Sequence, residues 1–178
     1  MYYATIKKYD IANGPGVRVS LFVSGCTHHC KNCFNSEAWD FKYGNEYTEE
    51  VEQEILDALS KSYIQGLSLL GGEPFELVNQ EGILPLVKKV RKLFPEKTIW
   101  AYSGYLFDKD FLPLSKKNNI TRELLENIDV LVDGKFVEEL KSPKLLFRGS
   151  SNQRIIDVIQ SLKEGKVVIH EKQLNEKL

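Results

Sequence analysis

The sequence predicts an α/β fold, specifically an incomplete, open parallel β/α barrel of about five or six βα units. Short apolar strands alternate with helical segments along the chain. Strands joined through helices pair in parallel by right-handed crossovers. The chain has 178 residues, whereas a full eight-stranded barrel takes about 250. The missing units would leave one side open, with room for a large partner.

The first predicted unit is a strand followed by a loop and a helix. Apolar and polar side chains alternate over residues 17–23, which predicts a strand that ends at Gly25. After the loop, Thr48 is a suitable helix N-cap, and Glu49 and Glu50 favour the positive end of the helix dipole. The apolar positions of this helix are Val51, Ile55, Ala58 and Leu59.

The strand-then-helix order repeats through the rest of the chain. An apolar strand at 67–70 stops at Gly71 and Gly72, and residues 83–93 then show helical spacing before Pro95. The remaining predicted elements are strands at 98–102 and 130–132, helices at 121–128 and 155–162, and an apolar run at 167–169. Active sites of such folds lie at the carboxyl ends of the strands. We therefore expect four turns to face one crevice, namely 26–33, 71–74, 103–104 and 133–134.

The composition limits the partners and the location. The chain is 42% hydrophobic and 28% charged, and its formal net charge of -1 argues against nucleic acid as a partner. No apolar run approaches the about 20 residues that span a bilayer, and the N-terminus lacks the layout of a secretory signal. We expect a cytoplasmic protein with no membrane partner. Its length predicts a single domain, 1–178.

All the cysteines of the chain lie in one octapeptide, CTHHCKNC. They are Cys26, Cys30 and Cys33. In a reducing compartment such a cluster indicates metal binding or redox chemistry. A structural zinc ion needs four ligands and would have to recruit His28, His29 or the distant His170. A 4Fe-4S cube offers four iron corners, so three thiolates would leave one iron open to bind and polarise a small molecule.

The cysteine spacing and several other segments resemble a known family. Cys-x3-Cys-x2-Cys after a first strand resembles the signature of the radical S-adenosylmethionine enzymes. Upstream, the segment NGPGVR at 13–18 is similar to the glycyl-radical-enzyme activases. The segments LFVSGC at 21–26, VLVDGKF at 130–136 and RGSSNQ at 148–153 narrow the resemblance to activating proteins of the anaerobic (class III) ribonucleotide reductases. The part of the chain after about Lys163 falls outside this resemblance.

This resemblance implies a function. The three cysteines would bind a 4Fe-4S cluster as thiolates, and its open iron would chelate S-adenosylmethionine. Reductive cleavage to a 5′-deoxyadenosyl radical would then remove hydrogen from a glycine of the anaerobic ribonucleoside-triphosphate reductase large subunit. A low-potential donor such as flavodoxin would supply the electron, and no catalytic side chain beyond the cluster and cofactor is required. The alternatives are an activase of another glycyl-radical enzyme or, in a different class, a zinc-stabilised binding module.

The resemblance also implies residues that contact S-adenosylmethionine. The turn that contains Gly71, Gly72 and Glu73 would meet its amino group through backbone and carboxylate; alone, this motif could be an ordinary turn. Many members carry an aromatic residue before the third cysteine, where this chain has Asn32, whose side-chain amide would offer the cofactor a hydrogen bond. Phe34 would provide the flat surface for adenine instead, or would plug the core below the loop.

Two further turns are expected to contribute. Asp133 and Lys135 would contact the ribose or the carboxylate of the cofactor, and Ser103 would approach the ribose; as ordinary turn residues they would do neither. His28 and His29 are expected to be exposed loop residues near the cluster rather than ligands.

Overall fold

The computed structural model describes residues 1–174, which form one sheet flanked by helices. The strands are β1 (Tyr2–Asp10), β2 (Val17–Val23), β3 (Asn45–Glu46), β4 (Ile64–Gly71), β5 (Thr98–Ser103), β6 (Val130–Asp133) and β7 (Arg154–Asp157). The α-helices are α1 (Glu49–Leu59), α2 (Leu77–Leu93), α3 (Leu112–Ser115), α4 (Asn119–Glu126), α5 (Val158–Glu164) and α6 (Glu171–Leu174). Short 3-10 turns at Ser36–Trp39 and Glu138–Leu140 and a π-helical turn at Phe107–Phe111 complete the described elements.

The sheet is mixed, with the order β3-β1-β2-β4-β5-β6-β7. Its centre, β2-β4-β5-β6, is parallel, and α1, α2 and the pair α3 and α4 form the crossovers. β1 and β7 pair antiparallel with β2 and β6. The α/β class is therefore confirmed, whereas the prediction of five or six parallel βα units is wrong. The connection from β1 to β2 is too short for a crossover, and the connection from β6 to β7 contains no α-helix, so β1 runs antiparallel to β2 and β7 runs antiparallel to β6.

Most predicted elements are present, with one clear error near the C-terminus. β2 covers the predicted alternating residues and ends at Val23, two residues before the predicted Gly25. The Thr48 side chain caps α1 by accepting a hydrogen bond from the amide of Val51. The helix predicted from residue 155 begins only at Val158, because Ile155 and Ile156 pair with β6 as strand β7. The apolar run at 167–169 gives a single antiparallel bridge to β7. β1 was not predicted, because its polar side chains obscure the alternation.

The two faces of the sheet are built differently. One face packs against α1, α2 and α4 in the main core, where Val19, Leu21 and Val23 are fully buried. The other face carries Arg18 and Phe22 from the same strand. It also holds a smaller cluster formed by Trp100, Val130, Val132 and Ile155. None of the helices within residues 1–174 is long and apolar enough to cross a bilayer.

Arg18 anchors the loop that precedes β2. The guanidinium is fully buried and donates to Ser68 Oγ at 2.7 Å and to the carbonyl oxygens of Leu67 at 2.8 Å and Thr98 at 2.9 Å. Ser68 Oγ donates in turn to the carbonyl of Asn13 at 2.6 Å. Burial lowers the pKa of Arg18 to about 10. The side chain therefore stays charged at neutral pH, and its donors are satisfied by neutral oxygens.

Candidate metal and cofactor site

A pocket of about 450 Å³ lies where the parallel strands end. All four turns that were expected to meet contribute to its lining. They supply Cys26, His28, Cys30, Cys33, Gly71, Gly72, Glu73, Ser103, Gly104 and Gly134, and the neighbouring Phe34 and Lys135 also line the pocket. Nine of the predicted site residues are in this set, and Asn32 and Asp133 are outside it. The pocket is therefore built by parallel-strand topology, which brings segments distant in sequence to one edge.

The cysteine loop is fixed at its first cysteine and more open at the other two. The amide of Gly25 donates to the carbonyl of Ala38 at 2.8 Å, which anchors the start of the loop. Cys26 is buried, and Cys30 and Cys33 are half-buried. Burial raises the pKa of Cys26 to about 11 and is also the main reason why the pKa of Cys30 is raised. Both are thiols at neutral pH in the metal-free protein, so binding a metal must release their protons.

The arrangement of donors fits an iron-sulfur cluster better than a zinc ion. Within residues 1–174, no three His, Cys, Asp or Glu side chains converge closely enough to hold one metal ion. A cube takes each thiolate at a different iron, so its ligands need not meet at one point. The histidines that zinc would need have other neighbours: His28 contacts Glu73, His29 packs against Trp39, and His170 lies outside the pocket lining.

Gly71 and Gly72 bring the second turn into backbone contact with the end of β2. The amide of Gly72 donates to the carbonyl of Val23 at 2.7 Å, and that of Glu73 donates to the carbonyl of Gly25 at 2.8 Å. Gly71 has φ of +114°, and a Cβ at position 72 would lie 2.5 Å from the Gly25 oxygen. Only glycine permits this approach. The cysteine loop and the Gly-Gly-Glu-Pro turn therefore form one unit.

Glu73 is a buried carboxylate held by three donors. Its side chain is 1% exposed. Oε1 accepts from the amide of Phe75 at 2.9 Å, and Oε2 accepts from the amide of Gly104 at 2.8 Å and lies 2.8 Å from His28 Nε2. An ionised carboxylate accepts at about four positions. Three donors therefore leave capacity for one further hydrogen bond from a ligand in the pocket.

The prediction for the two loop histidines is right for one and wrong for the other. His29 is exposed, with φ of +50°, and its ring lies 4.6 Å from that of Trp39. The side chain of His28 is only 7% exposed. Its ring lies 4.4 Å from the Tyr105 ring, and its Nε2 contacts Glu73. No local pattern distinguishes these neighbours, because the partners of His28 come from two other turns.

Asp133 and Asn32 do not reach the pocket, which corrects their predicted role. Asp133 is fully buried and accepts from Arg154 Nε at 2.9 Å, from Arg154 Nη2 at 2.6 Å and from the amide of Phe107 at 2.8 Å. Its oxygens are therefore used in holding β7 and the turn after β5. Asn32 is exposed at φ of +53°, and its side-chain amide contacts Glu138.

The remaining predicted residues line the pocket at different depths. Ser103 is 6% exposed and its Oγ accepts from the amide of Tyr105 at 3.1 Å. Lys135 is exposed. Phe34 is 73% exposed and stands at the rim, with its ring 5.0 Å from that of Phe136. The alternative in which Phe34 plugs the core is therefore wrong.

The segment 148–153, which carries part of the family resemblance, also borders the pocket. Gln153 Oε1 accepts from the amide of Gly149 at 2.8 Å, and Gln153 Nε2 donates to the carbonyl of Gly134 at 2.9 Å. Arg148 donates to the carbonyl of Gln153 at 2.7 Å. These contacts close the segment on itself beside the turn after β6. Arg148, Gly149 and Gln153 therefore join the pocket wall.

Comparison with known proteins identifies the class of protein to which this chain is similar. A family described as "4Fe-4S single cluster domain" matches residues 12–156, which include every turn around the pocket. The chain is 44% identical over 156 residues to the anaerobic ribonucleoside-triphosphate reductase-activating protein of Haemophilus influenzae, covering 86% of this chain and 94% of the relative.

Proteins of the same name give similar values in two further organisms. Identity is 43% over 155 residues in Escherichia coli K12, with 86% of this chain and 96% of the relative covered. For the protein of Enterobacteria phage T4, the identity is 44% over 155 residues, with 87% of this chain and 93% of the relative covered. The chain belongs to the family of anaerobic ribonucleoside-triphosphate reductase-activating proteins. The resemblance seen in the sequence is thereby confirmed.

Proposed function

We propose that this chain is a radical S-adenosylmethionine enzyme that generates a glycyl radical in anaerobic ribonucleoside-triphosphate reductase. The observation that supports this most directly is that three cysteines and the buried carboxylate of Glu73 line one pocket. The reductase is the partner named for relatives that are 43% or 44% identical over most of this chain. The proposal concerns one domain, residues 1–178, acting in the cytoplasm.

The three cysteines would hold the cluster, each at one iron. Cys26 is the buried member of the three, and Cys30 and Cys33 are half-buried. A reduced cluster bound there would supply the one electron needed to cleave S-adenosylmethionine to methionine and a 5′-deoxyadenosyl radical. No side chain of the chain is needed as an acid, base or nucleophile in that step.

The other lining residues would orient S-adenosylmethionine. Glu73 has one acceptor position left, which suits the ammonium group of the methionine part. Gly71 and Gly72 keep the adjoining backbone free of side chains. Ser103 and Lys135 offer polar groups to the ribose or the carboxylate, and Phe34 offers the rim surface for adenine.

The mouth of the pocket would receive the partner. Phe34 and the segment 148–153 border it, and the target glycine of the reductase must come within reach of the cofactor. Docking of the reductase would also exclude water and stray hydrogen donors from the pocket. A low-potential protein such as flavodoxin would supply the electron, since iron-sulfur potentials extend to about -700 mV.

The test is anaerobic reconstitution with iron and sulfide, followed by dithionite and S-adenosylmethionine. We expect about four irons per chain and formation of 5′-deoxyadenosine. Cys30→Ser should lose both iron and product. Glu73→Gln should keep the iron and bind S-adenosylmethionine about tenfold more weakly, since it loses a charge-assisted contact. A colourless protein that takes up one zinc and cleaves nothing would contradict the proposal and leave the zinc-stabilised module.

A further inference from the structure

His28 is a buried polar side chain inside the candidate site, yet it is neither a cluster ligand nor a lining residue with an assigned role. It stands between Cys26 and Cys30 in the sequence, and its side chain is 7% exposed. Its Nε2 lies 2.8 Å from Glu73 Oε2. Because the carboxylate can only accept when ionised, the imidazole donates through Nε2. The Nε2 atom is therefore engaged by Glu73 and is not free to bind a metal ion.

The position of the His28 ring is set by the turn after β5. The ring lies edge-on to Tyr105, with centroids 4.4 Å apart. On another side it lies against Gly104: a Cβ at position 104 would be 2.5 Å from His28 Cδ2 and 2.6 Å from Nε2. The amide of Gly104 donates to the same Glu73 oxygen at 2.8 Å. Gly104 therefore both leaves room for the ring and shares its acceptor.

The partners of Glu73 differ in kind from those of Asp133, the other buried carboxylate at a strand end. Arg154 donates twice to Asp133 and supplies a full positive charge. Within residues 1–174, Glu73 has two backbone amides and His28 as donors, and neither lysine nor arginine. Single N–H donors fix the direction of a carboxylate while leaving its charge to attract a cation. Glu73 is thus oriented without being paired to a permanent cation.

We propose that His28 is a positioning residue, which aims the free acceptor position of Glu73 into the pocket. It also ties the cysteine loop to the Gly-Gly-Glu-Pro turn, so that the cluster and the bound cofactor keep a fixed mutual position. A second contact supports the same link, since the amide and hydroxyl of Thr27 both donate to Glu76 Oε1, at 2.9 and 2.6 Å. This inference rests on the proposed function, in which Glu73 receives the ammonium group of S-adenosylmethionine.

The test compares His28→Ala, His28→Gln and a control, His29→Asn, in reconstituted protein. Gln retains an N–H donor for Glu73, whereas Ala removes it. Asn suits the positive φ of position 29 and replaces a ring that packs on Trp39. The readouts are iron and sulfide content, and the dissociation constant for S-adenosylmethionine by calorimetry. We expect unchanged iron in all three variants. Binding should weaken about tenfold in His28→Ala, with recovery in His28→Gln to within about twofold of the wild type.

The outcomes separate this inference from the proposed function. Wild-type affinity in His28→Ala would overturn the positioning role alone. Loss of iron in both His28 variants, with His29→Asn intact, would make His28 a ligand and overturn it as well. Wild-type protein that holds a cluster and fails to bind S-adenosylmethionine would overturn the proposed function together with this inference. If His28→Ala does not fold, His28→Gln and Gly104→Ala decide instead: the Cβ at position 104 displaces the ring, so Gly104→Ala should weaken binding while His28→Gln should not.

Discussion

At the scale of single residues, Asp133 and Arg154 show how a carboxylate at the edge of the pocket can serve the fold alone. Asp133 is fully buried, and the Arg154 side chain is 27% exposed. Arg154 also donates to Asp108 at 2.7 Å, a carboxylate that is 40% exposed. The hydrogen bonds to the two aspartates hold the pKa of Arg154 above its ordinary range, and the bond to Asp133 has the larger effect. One arginine therefore joins β6 and β7 to the turn after β5.

Asp133→Asn should destabilise the protein markedly, because it leaves Arg154 without its buried counter-charge. We expect a loss of about 2–3 kcal/mol in the free energy of unfolding, less than for a fully buried pair because Arg154 is partly exposed. Chemical denaturation measures it. Asp108→Asn is the matched control on the same arginine and should cost less than about 1 kcal/mol. Equal losses in the two variants would contradict this account.

The stability difference between the wild type and Asp108→Asn should also depend on pH. The hydrogen bond from Arg154 lowers the pKa of Asp108 in the folded protein. A lowered folded pKa stabilises the fold above the unfolded value of about 3.9, and this contribution disappears as the pH falls through the folded value. The difference in stability between wild type and Asp108→Asn should therefore shrink below about pH 4.

The residues of the site were predictable only where local spacing or glycine geometry identifies them. Cys26, Cys30 and Cys33 follow from their spacing and number, and Gly72 from the need for close backbone approach. The burial of His28 depends on an absent side chain at position 104, which lies 76 positions further along the chain. Asp133 is likewise kept from the predicted cofactor contact by its hydrogen bonds with Arg154, a partner 21 positions away. Pairwise contacts of this kind leave no periodic pattern in the sequence.

At the scale of elements, the strands with one apolar face were predicted well and β7 was not. Residues 155–162 read as helical because their apolar side chains recur at helical spacing. The backbone of Ile155 and Ile156 is instead paired with β6, and the helix starts where the Asp157 side chain caps it by accepting from the amide of Gln160. Tertiary pairing overrides local propensity there. The antiparallel direction of β1 and β7 follows from the connections rather than from their composition.

The segment after α5 holds β7 in place, although the sequence assigned it no role. The amide of Asp157 donates to the carbonyl of Val168 at 2.9 Å, and that of His170 donates to the carbonyl of Ile155 at 2.8 Å. The amide of Ile155 donates to Gln173 Oε1 at 2.6 Å. The His170 ring also packs edge-on against Trp100. Residues 175–178, the end of the segment left without a role, lie outside the described residues.

Truncation after Gly165 should therefore destabilise the protein. Three hydrogen bonds to β7 are lost, and at about 1 kcal/mol net for each we expect a decrease of about 2 kcal/mol or more in the free energy of unfolding. Thermal and denaturant unfolding of the metal-free protein measure it. Lys166→Ala is the control, since this side chain is 72% exposed. Unchanged stability after truncation would rule out a structural role for the segment.

At the scale of the whole molecule, the main core and the pocket occupy different parts of the fold. Helices α1, α2 and α4 cover one face of the sheet in the main core. The pocket collects the ends of four parallel strands and the segment 148–153. The prediction of an α/β fold is therefore confirmed, and a pocket lies at the strand ends where the site was predicted. The open barrel stays a prediction. The family match at 12–156 covers the strands and turns that form the pocket.

In the proposed reaction, a 5′-deoxyadenosyl radical formed in this pocket removes a hydrogen atom from a glycine of the reductase. The most direct measurement uses the anaerobic reductase prepared with glycine deuterated at Cα, mixed with the reconstituted, reduced protein and S-adenosylmethionine. We predict deuterium in the 5′-deoxyadenosine product and an organic radical on the reductase by EPR, both absent with Cys30→Ser. Product without deuterium from a reductase that stays EPR-silent would contradict the claim.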